Sequence, residues 1–213
     1  MDKFTKLSAI AAPIMRQNID TDMVIRVERL RDLPPEKLGP YAFESWRYKP
    51  DGSEAPEFVL NRPPYRDARI ILAADNFGCG SSREAAVWSL FAFGIRCVIA
   101  PSFGPIFYNN CFQNGLLPVV VPASVVEDLA AEVEASQGRG KITVDLTRCV
   151  VVSPGGKETP FTVDALLRER MLKGLDQIEL TRAREPQIAA FQARDRKLHP
   201  WLYLAQDLKE RKL

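Results

Sequence analysis

The stretch Ile70-Ile71-Leu72-Ala73-Ala74 stands shortly before a loop-forming segment, Gly78-Cys79-Gly80-Ser81-Ser82. The uninterrupted apolar run predicts a buried strand, and the glycines and serines predict a loop. The apolar pattern from Arg83 to Phe93 predicts a helix. A second strand, a second helix and a third strand are predicted at 97–100, 105–113 and 118–121. Short connections between alternating strands and helices favour parallel strands covered by helices, so this part of the chain predicts an α/β fold.

Further regular elements are predicted on the C-terminal side of this stretch. An amphipathic segment over 123–136 predicts a helix that ends before Gly138 and Gly140. Alternation over 141–147 predicts a strand, and a hairpin is predicted over 149–163 around Pro154-Gly155-Gly156-Lys157. Helices are predicted at 164–173 and 184–196. Basic residues outnumber acidic ones from residue 182 onward, which is typical of a solvated terminal helix or of a docking arm for an acidic surface.

The N-terminal side is less regular. Residues 1–30 are predicted to form a short leading segment, a turn at 18–22 and an apolar stretch. Residues 31–69 are rich in proline, which predicts loops and edges packed down by aromatic side chains. We therefore expect one domain over 1–196, with an irregular insertion at 31–69, and a C-terminal tail over 197–213.

The composition excludes several classes of function. The chain has 213 residues and a formal net charge of +2, which predicts no general attraction to nucleic acid or to anionic membranes. No run approaches the about 20 apolar residues of a membrane span. The 4 cysteines are scattered, which favours free thiols in a reducing cytoplasm. The one histidine, His199, argues against histidine triads and multi-histidine metal sites.

The segment from Asp75 to Glu84 carries the residues best suited to chemistry. Gly78 and Gly80 let the backbone turn tightly and approach a ligand. The following helix start favours an anion, and Ser81, Ser82 and Arg83 add hydroxyl and guanidinium donors. These features predict an oxyanion or carboxylate site. The alternative is that one of the serines caps the helix and Glu84 completes the capping interaction.

The sequence from Asn76 to Glu84, NFGCGSSRE, resembles the signature of the small subunit of 3-isopropylmalate dehydratase (isopropylmalate isomerase), a swivelling domain of the aconitase superfamily. The resemblance covers about residues 13–195 and implies an α/β fold of the aconitase type, a swivelling β/β/α domain with a flanking helical C-terminal tail. Further blocks match in the same order: Asn18-Ile19-Asp20-Thr21-Asp22, Ala100-Pro101-Ser102-Phe103, residues 106–112 and 114–118, and Gly174-Leu175-Asp176-Gln177-Ile178.

The resemblance implies a hydro-lyase that interconverts 2-isopropylmalate and 3-isopropylmalate by dehydration and rehydration, a reaction of leucine biosynthesis. It implies a large partner subunit that carries a [4Fe–4S] cluster, in a heterodimer or heterotetramer, while this chain binds no metal or cofactor itself. In the family the first serine of the Ser-Ser-Arg triplet is the base, here Ser81. Ser82 and Arg83 hold the substrate carboxylate, and Arg83 also favours the serine alkoxide. The small subunit alone is expected to be inactive.

The resemblance also implies a substrate-binding role for Asp22 and Arg31. Asp22 aligns with an acidic residue near the aconitase-type active site; the alternative is an Asx turn that holds residues 18–22. Arg31 matches an arginine found in the substrate-discriminating loop of some members. The same segment contains Arg26 and Arg29. The three arginines either form a solvated face of the chain or indicate that the substrate is more anionic.

One departure from the family leaves the substrate open. Members usually continue the signature with His-Ala-Pro-Trp, whereas Ala85-Ala86-Val87-Trp88 follows here. The alternative function is therefore the small subunit of a paralogous dehydratase for another 2-hydroxy dicarboxylate, such as a methylated malate or a homocitrate-like compound. A second alternative is a non-catalytic, anion-binding regulatory subunit.

Overall fold

A computed structural model describes residues 2–80 and 83–203 of the chain. The chain divides into two compact units, Met1–Gly174 and Leu175–Leu213. A continuous helix, Glu185–Leu198, runs across the boundary predicted after residue 196. The extent of the domain predicted over 1–196 stays a prediction.

The first unit contains a mixed sheet. Its strands are β1 (Lys6–Ile14), β2 (Ile70–Ala73), β3 (Cys97–Ala100), β4 (Leu117–Val120), β5 (Lys141–Asp145), β6 (Val150–Val152) and β7 (Glu158–Pro160). The described residues form a 7-stranded sheet of order β4-β3-β2-β1-β5-β6-β7. β1 to β4 are mutually parallel, and β5, β6 and β7 add antiparallel pairs on the other side of β1.

The parallel half agrees with the prediction from the apolar runs. Ile70 lies opposite Cys97, and Cys97 lies opposite Leu117. Every residue of β2 and β3 is buried, as expected for parallel strands that are covered on both faces. The carboxyl ends of these strands therefore lie at one edge of the sheet, where ligand sites of α/β folds are found.

The sequence did not predict the central strand. β1 pairs with β2 on one side and with β5 on the other, whereas only a leading segment was expected there. Its sequence KLSAIAAPI consists largely of small residues of weak strand propensity, and it contains Pro13, which cannot donate a ladder hydrogen bond. The strand forms because its neighbouring strands bury it. The sequence of β1 alone does not show which strands these are.

Both units contain helices. Those of the first unit are α1 (Thr21–Val24), α2 (Val27–Asp32), α3 (Glu44–Arg47), α4 (Glu84–Phe93), α5 (Pro105–Asn114), α6 (Ala123–Ala135) and α7 (Ala165–Lys173). The second unit contains α8 (Gln177–Arg182) and α9 (Glu185–Leu198), followed by a short turn at Pro200–Leu202. The predicted tail beyond residue 203 lies outside the described residues. None of the described helices has the length and apolar content needed to cross a membrane.

The proline-rich insertion is organised around a buried guanidinium. Arg47 is 7% exposed, and its Nε donates to Oδ1 of Asn61 at 3.2 Å while its Nη1 donates to the carbonyl of Pro40 at 3.1 Å. Asn61 Nδ2 donates in turn to the carbonyls of Arg47 at 2.6 Å and Ala55 at 2.9 Å. Burial lowers the pKa of Arg47, so these acceptors offset part of its desolvation. Residues 31–69 are thus irregular and packed, as predicted.

We predict that Asn61→Ala lowers the free energy of unfolding by about 2–4 kcal/mol, because buried backbone carbonyls and the Arg47 Nε lose their partners. Urea unfolding followed by circular dichroism measures this loss. Ser53→Ala, in an exposed turn of the same insertion, is the control and should change stability by less than about 0.5 kcal/mol. Equal effects of the two substitutions would contradict the proposed role of Asn61.

Candidate active site

The glycine-rich loop continues parallel pairing beyond the carboxyl end of β2. On one side, Gly78 N–H donates to the carbonyl of Ile19 at 2.7 Å, and Thr21 N–H donates to the carbonyl of Cys79 at 3.2 Å. Asp20 and Cys79 form an isolated parallel bridge. The turn at 18–22 and the loop at 75–80 are therefore fixed relative to each other by backbone hydrogen bonds.

The other side of the loop is held by the segment that follows β3. Phe77 N–H donates to the carbonyl of Ser102 at 3.1 Å, and Gly104 N–H donates to the carbonyl of Phe77 at 2.9 Å. Asn76 N–H donates to Ser102 Oγ at 2.8 Å, and Asn76 Nδ2 donates to Asn18 Oδ1 at 2.8 Å. Segments that follow three parallel strands thus meet at one edge of the sheet.

Two glycines of the loop have left-handed backbone conformations, Gly78 at φ +72° and Gly80 at φ +83°. At Gly78, an added Cβ would lie 2.2 Å from Cγ of Phe107. At Gly80, the nearest atom to an added Cβ is the Cβ of Asp20 at 3.4 Å, which is ordinary contact. Gly78 therefore permits close packing on α5, while Gly80 satisfies a conformational requirement only.

Arg83 lies at the start of α4 and forms an ion pair with Asp22. It occupies the N-cap position with an extended backbone, and its Nη1 donates to Oδ1 of Asp22. The Arg83 side chain is 30% exposed and that of Asp22 is 55% exposed, so both groups remain open to a ligand. The pair joins two predicted site residues that are 61 positions apart in the sequence.

The contacts around this pair bear on one alternative left open by the sequence. The turn at 18–22 is held by Asp20, whose side chain accepts from Met23 N–H at 2.7 Å and caps α1. Asp22 is therefore not the capping residue of that turn. Glu84 accepts from Asn114 Nδ2 at 2.8 Å, and this contact links the first residue of α4 to α5.

The Arg83–Asp22 pair lines an open depression of about 400 Å³. Arg26 and Ser45 also line it, and Arg26 lies 3.5 Å from Glu28 and 3.6 Å from Glu44. Arg29 points elsewhere, because its Nε donates to Glu44 Oε2 at 2.9 Å and its guanidinium stacks on the ring of Tyr41. The depression therefore contains guanidinium groups suited to a carboxylate ligand.

The remaining predicted site residues have different placements. Arg31 is exposed on α2 and is not among the residues that line the depression, so its role in substrate binding stays a prediction. Ser81 and Ser82 lie outside the described residues. Ala85, where the sequence departs from the family, is 5% exposed and belongs to the hydrophobic core. Its effect on the choice of substrate stays a prediction.

Sequence analysis missed Asp20, Ser102 and Asn114 as residues that support the site. A signal for Asp20 was present, because an aspartate three positions before a helical N–H is a common N-cap pattern. Ser102 and Asn114 act through contacts with Asp75, Asn76 and Glu84 that only the folded chain brings together.

The described residues of this chain do not fit an iron–sulfur cluster. Cys97 and Cys111 are fully buried, and burial raises the pKa of both thiols, which disfavours the thiolate that binds metal. Within residues 2–80 and 83–203, no three or more His, Cys, Asp or Glu side chains are grouped as a metal site requires.

Family comparison defines the class of protein. A family model described as the Aconitase C-terminal domain matches residues 1–124, and a second, described as LeuD_N, matches residues 127–165. The first match covers more than half of the chain. The chain therefore belongs to the aconitase C-terminal domain family.

Individual relatives identify a narrower family within this class of protein. The 3-isopropylmalate dehydratase small subunit of Gluconacetobacter diazotrophicus is 51% identical over 201 residues, which cover 94% of this chain and 97% of that protein. The protein of the same name from Paracoccus denitrificans is 48% identical over 202 residues, covering 95% of this chain and 100% of that protein. Within its class, the chain belongs to the family of 3-isopropylmalate dehydratase small subunits, which confirms the resemblance found in the sequence.

A solved structure supports the fold. The crystal structure of 3-isopropylmalate dehydratase from Methanocaldococcus jannaschii matches with a TM-score of 0.61 at 23% identity, covering 87% of this chain and 98% of that chain. The predicted aconitase-type α/β fold is thereby confirmed.

We predict that Gly78→Ala lowers the free energy of unfolding by about 3 kcal/mol or more, because it adds a steric clash to the cost of a left-handed alanine. Gly80→Ala should cost only about 1–2 kcal/mol, since it carries the conformational cost alone. Gly156→Ala, at φ +89° with open space around it, is a control outside the loop. Urea unfolding of the three variants tests this order, and equal losses at Gly78 and Gly80 would contradict it.

Proposed function

We propose that this chain is the small subunit of a hydro-lyase that interconverts 2-isopropylmalate and 3-isopropylmalate by dehydration and rehydration. The names of relatives at about half identity over nearly the full length support this proposal. The proposal includes a cytoplasmic location and a role in leucine biosynthesis.

The observation that carries the proposal is the position of Arg83. Its guanidinium lies at the carboxyl edge of the parallel strands, at the start of α4 and beside an open depression. A planar guanidinium can bind a carboxylate through two parallel hydrogen bonds, and the adjacent helix start adds favourable electrostatics. These features suit one carboxylate of a 2-hydroxy dicarboxylate.

Asp22 acts on the substrate through Arg83. Its carboxylate holds one nitrogen of the guanidinium and leaves the others for a ligand. An arginine fixed in this way loses less side-chain entropy when substrate binds than a free arginine does. Asp22 is therefore a positioning residue for the Arg83 guanidinium.

Ser81 is the proposed base, and Ser82 the proposed second donor to the carboxylate. Both roles rest on the family resemblance and on the place of the serines immediately before Arg83. A hydroxyl works as a base only where its alkoxide is stabilised by about 1.4 kcal/mol for each unit by which its pKa falls. A nearby guanidinium and a helix start in a site that excludes water supply this stabilisation.

The site is completed by a large subunit that carries a [4Fe–4S] cluster. When bound to its own subunit, the cluster supplies Lewis-acid activation of the substrate hydroxyl. The small subunit contributes Arg83 to hold the carboxylate and Ser81 Oγ to accept the proton from carbon. Closure of the two subunits excludes water from the depression, which is open in this chain.

One observation favours a second candidate substrate. Arg26 places another guanidinium in the depression, which Asp20, Asp22 and Glu28 also line. It forms ion pairs with Glu28 at 3.5 Å and Glu44 at 3.6 Å. A substrate with an additional carboxylate, such as a homocitrate-like compound, would compete with these partners for the Arg26 guanidinium. Assay of the reconstituted pair against isopropylmalate, a methylated malate and homocitrate distinguishes the candidates by kcat/KM.

We predict that Ser81→Ala lowers kcat of the reconstituted pair by about 10²–10⁴-fold, because the group that accepts the proton is lost. Assembly with the large subunit, measured by size-exclusion chromatography, should be unchanged. Ser53→Ala, in an exposed turn, is the matched control and should retain normal kcat. A near-normal rate for Ser81→Ala would refute the assignment of the base.

We predict that Arg83→Gln lowers kcat/KM by about 10- to 100-fold, through KM because charge-assisted hydrogen bonds to the substrate carboxylate are lost, and through kcat because the Ser81 alkoxide loses a stabilising cation. Asp22→Asn should cost about tenfold or less, since the exposed ion pair only orients the guanidinium. In the Arg83→Gln background, Asp22→Asn should have no further effect. An additional loss in the double variant would mean that Asp22 contacts the substrate directly.

A further inference from the structure

A basic cavity lies at the edge of the sheet opposite the candidate active site. Its volume is about 240 Å³, and Lys3, Lys6, Arg69 and Arg96 line it, with Asp2 as an acidic neighbour. Arg69 and Arg96 immediately precede β2 and β3, whereas the candidate site follows the other ends of these strands. The four residues of β2, at about 3.3 Å each, separate its two ends by roughly 13 Å.

Strand pairing forces the two arginines together. Ile70 lies opposite Cys97 in the parallel register, so the preceding residues, Arg69 and Arg96, are neighbours across the strands. Arg96 N–H donates to the carbonyl of Arg69 at 2.9 Å, which fixes the two backbones. Like charges in such positions destabilise a sheet unless a counter-charge is present.

The cations of this cavity lack the partners that other arginines have. Arg66 and Arg148 pair with Glu54 and Glu158. In the part of the chain that the structure describes, Lys3, Lys6, Arg69 and Arg96 take part in no ion pair. Asp2 is the acidic residue among those that line the cavity, so the lining carries an excess of positive charge that an anionic ligand would balance.

The cavity is also preorganised. Arg96 Nη1 donates to the carbonyls of Phe91 at 2.7 Å and Ile95 at 2.9 Å, and its guanidinium stacks on the Phe91 ring with 3.6 Å to the centroid. The half-buried guanidinium has a pKa lowered by burial and by Arg69, which reflects the proximity of the two cations.

The chain segment that contributes the lysines is fixed as well. Phe4 N–H donates to the carbonyl of Met171, and Leu146 N–H donates to the carbonyl of Thr5, both at 2.9 Å. Lys3 and Lys6 are thereby held beside Arg69, and a ligand would not have to order this segment.

We propose that this cavity is a second binding site, for a small multivalent oxyanion that carries phosphate or carboxylate groups. Its volume admits a small molecule, and its cations supply the charge-assisted donors that such groups require. The site differs in place and in residues from the one that holds Arg83, and it does not depend on the proposed reaction.

Isothermal titration calorimetry of the full-length chain tests this proposal. Pyrophosphate and citrate are the probes, each titrated at constant ionic strength set with sodium chloride, and they separate phosphate from carboxylate preference. We expect one of them to bind at a single site, with affinity that falls as ionic strength rises. The Lys6→Gln/Arg69→Gln double variant should weaken this binding at least tenfold. Both side chains are exposed, and thermal unfolding confirms that the variant is folded.

Two controls locate the site. Arg139→Gln removes an exposed cation that does not line the cavity and should leave the affinity unchanged. Arg83→Gln should also leave it unchanged, which separates this site from the candidate active site. The proposal is overturned if neither anion binds, if the double variant binds normally, or if either control weakens binding as much as the double variant.

Discussion

The candidate active site depends on the backbone hydrogen bonds that hold residues 75–80 between the segments following β1 and β3. Gly78 donates to Ile19 on one side, and the carbonyl of Phe77 accepts from Gly104 on the other. These contacts require a close approach, because a Cβ at Gly104 would lie 2.3 Å from the Gly78 carbonyl oxygen. The loop therefore keeps its position through main-chain pairing.

The placement of charge follows from this pairing. Asp22 meets Arg83 because the turn at 18–22 is fixed beside the loop, and Asp20 fixes that turn by capping α1. At the same end of α4, the first residue of the helix, Glu84, is anchored on α5 through Asn114. Arg83 is thus held by its ion pair with Asp22 and by the contact of the next residue, Glu84, with Asn114 of α5.

Local sequence patterns predicted the parts of this arrangement that depend on local information. Apolar runs gave β2, β3 and the helices after them, and the glycine, serine and arginine residues indicated an anion site. The central strand β1 was not predicted from the sequence, because its alanines and Pro13 have weak strand propensity and because both neighbouring strands bury it. The pairing of Asp22 with Arg83 was not predicted for a similar reason. It depends on the register between strands, which neither segment specifies by its own sequence. The roles of Ser81 and Ser82 still rest on family resemblance.

The two sequence features that leave the proposed substrate open have different surroundings. Ala85, the first position after the signature, is 5% exposed and packs in the hydrophobic core. Arg26, in contrast, lines the depression at the junction of α1 and α2, where it forms ion pairs with Glu28 and Glu44. Under the proposed function, an additional carboxylate of a substrate would compete with these two side chains for Arg26, whereas Arg83 would hold the carboxylate that all candidate substrates share.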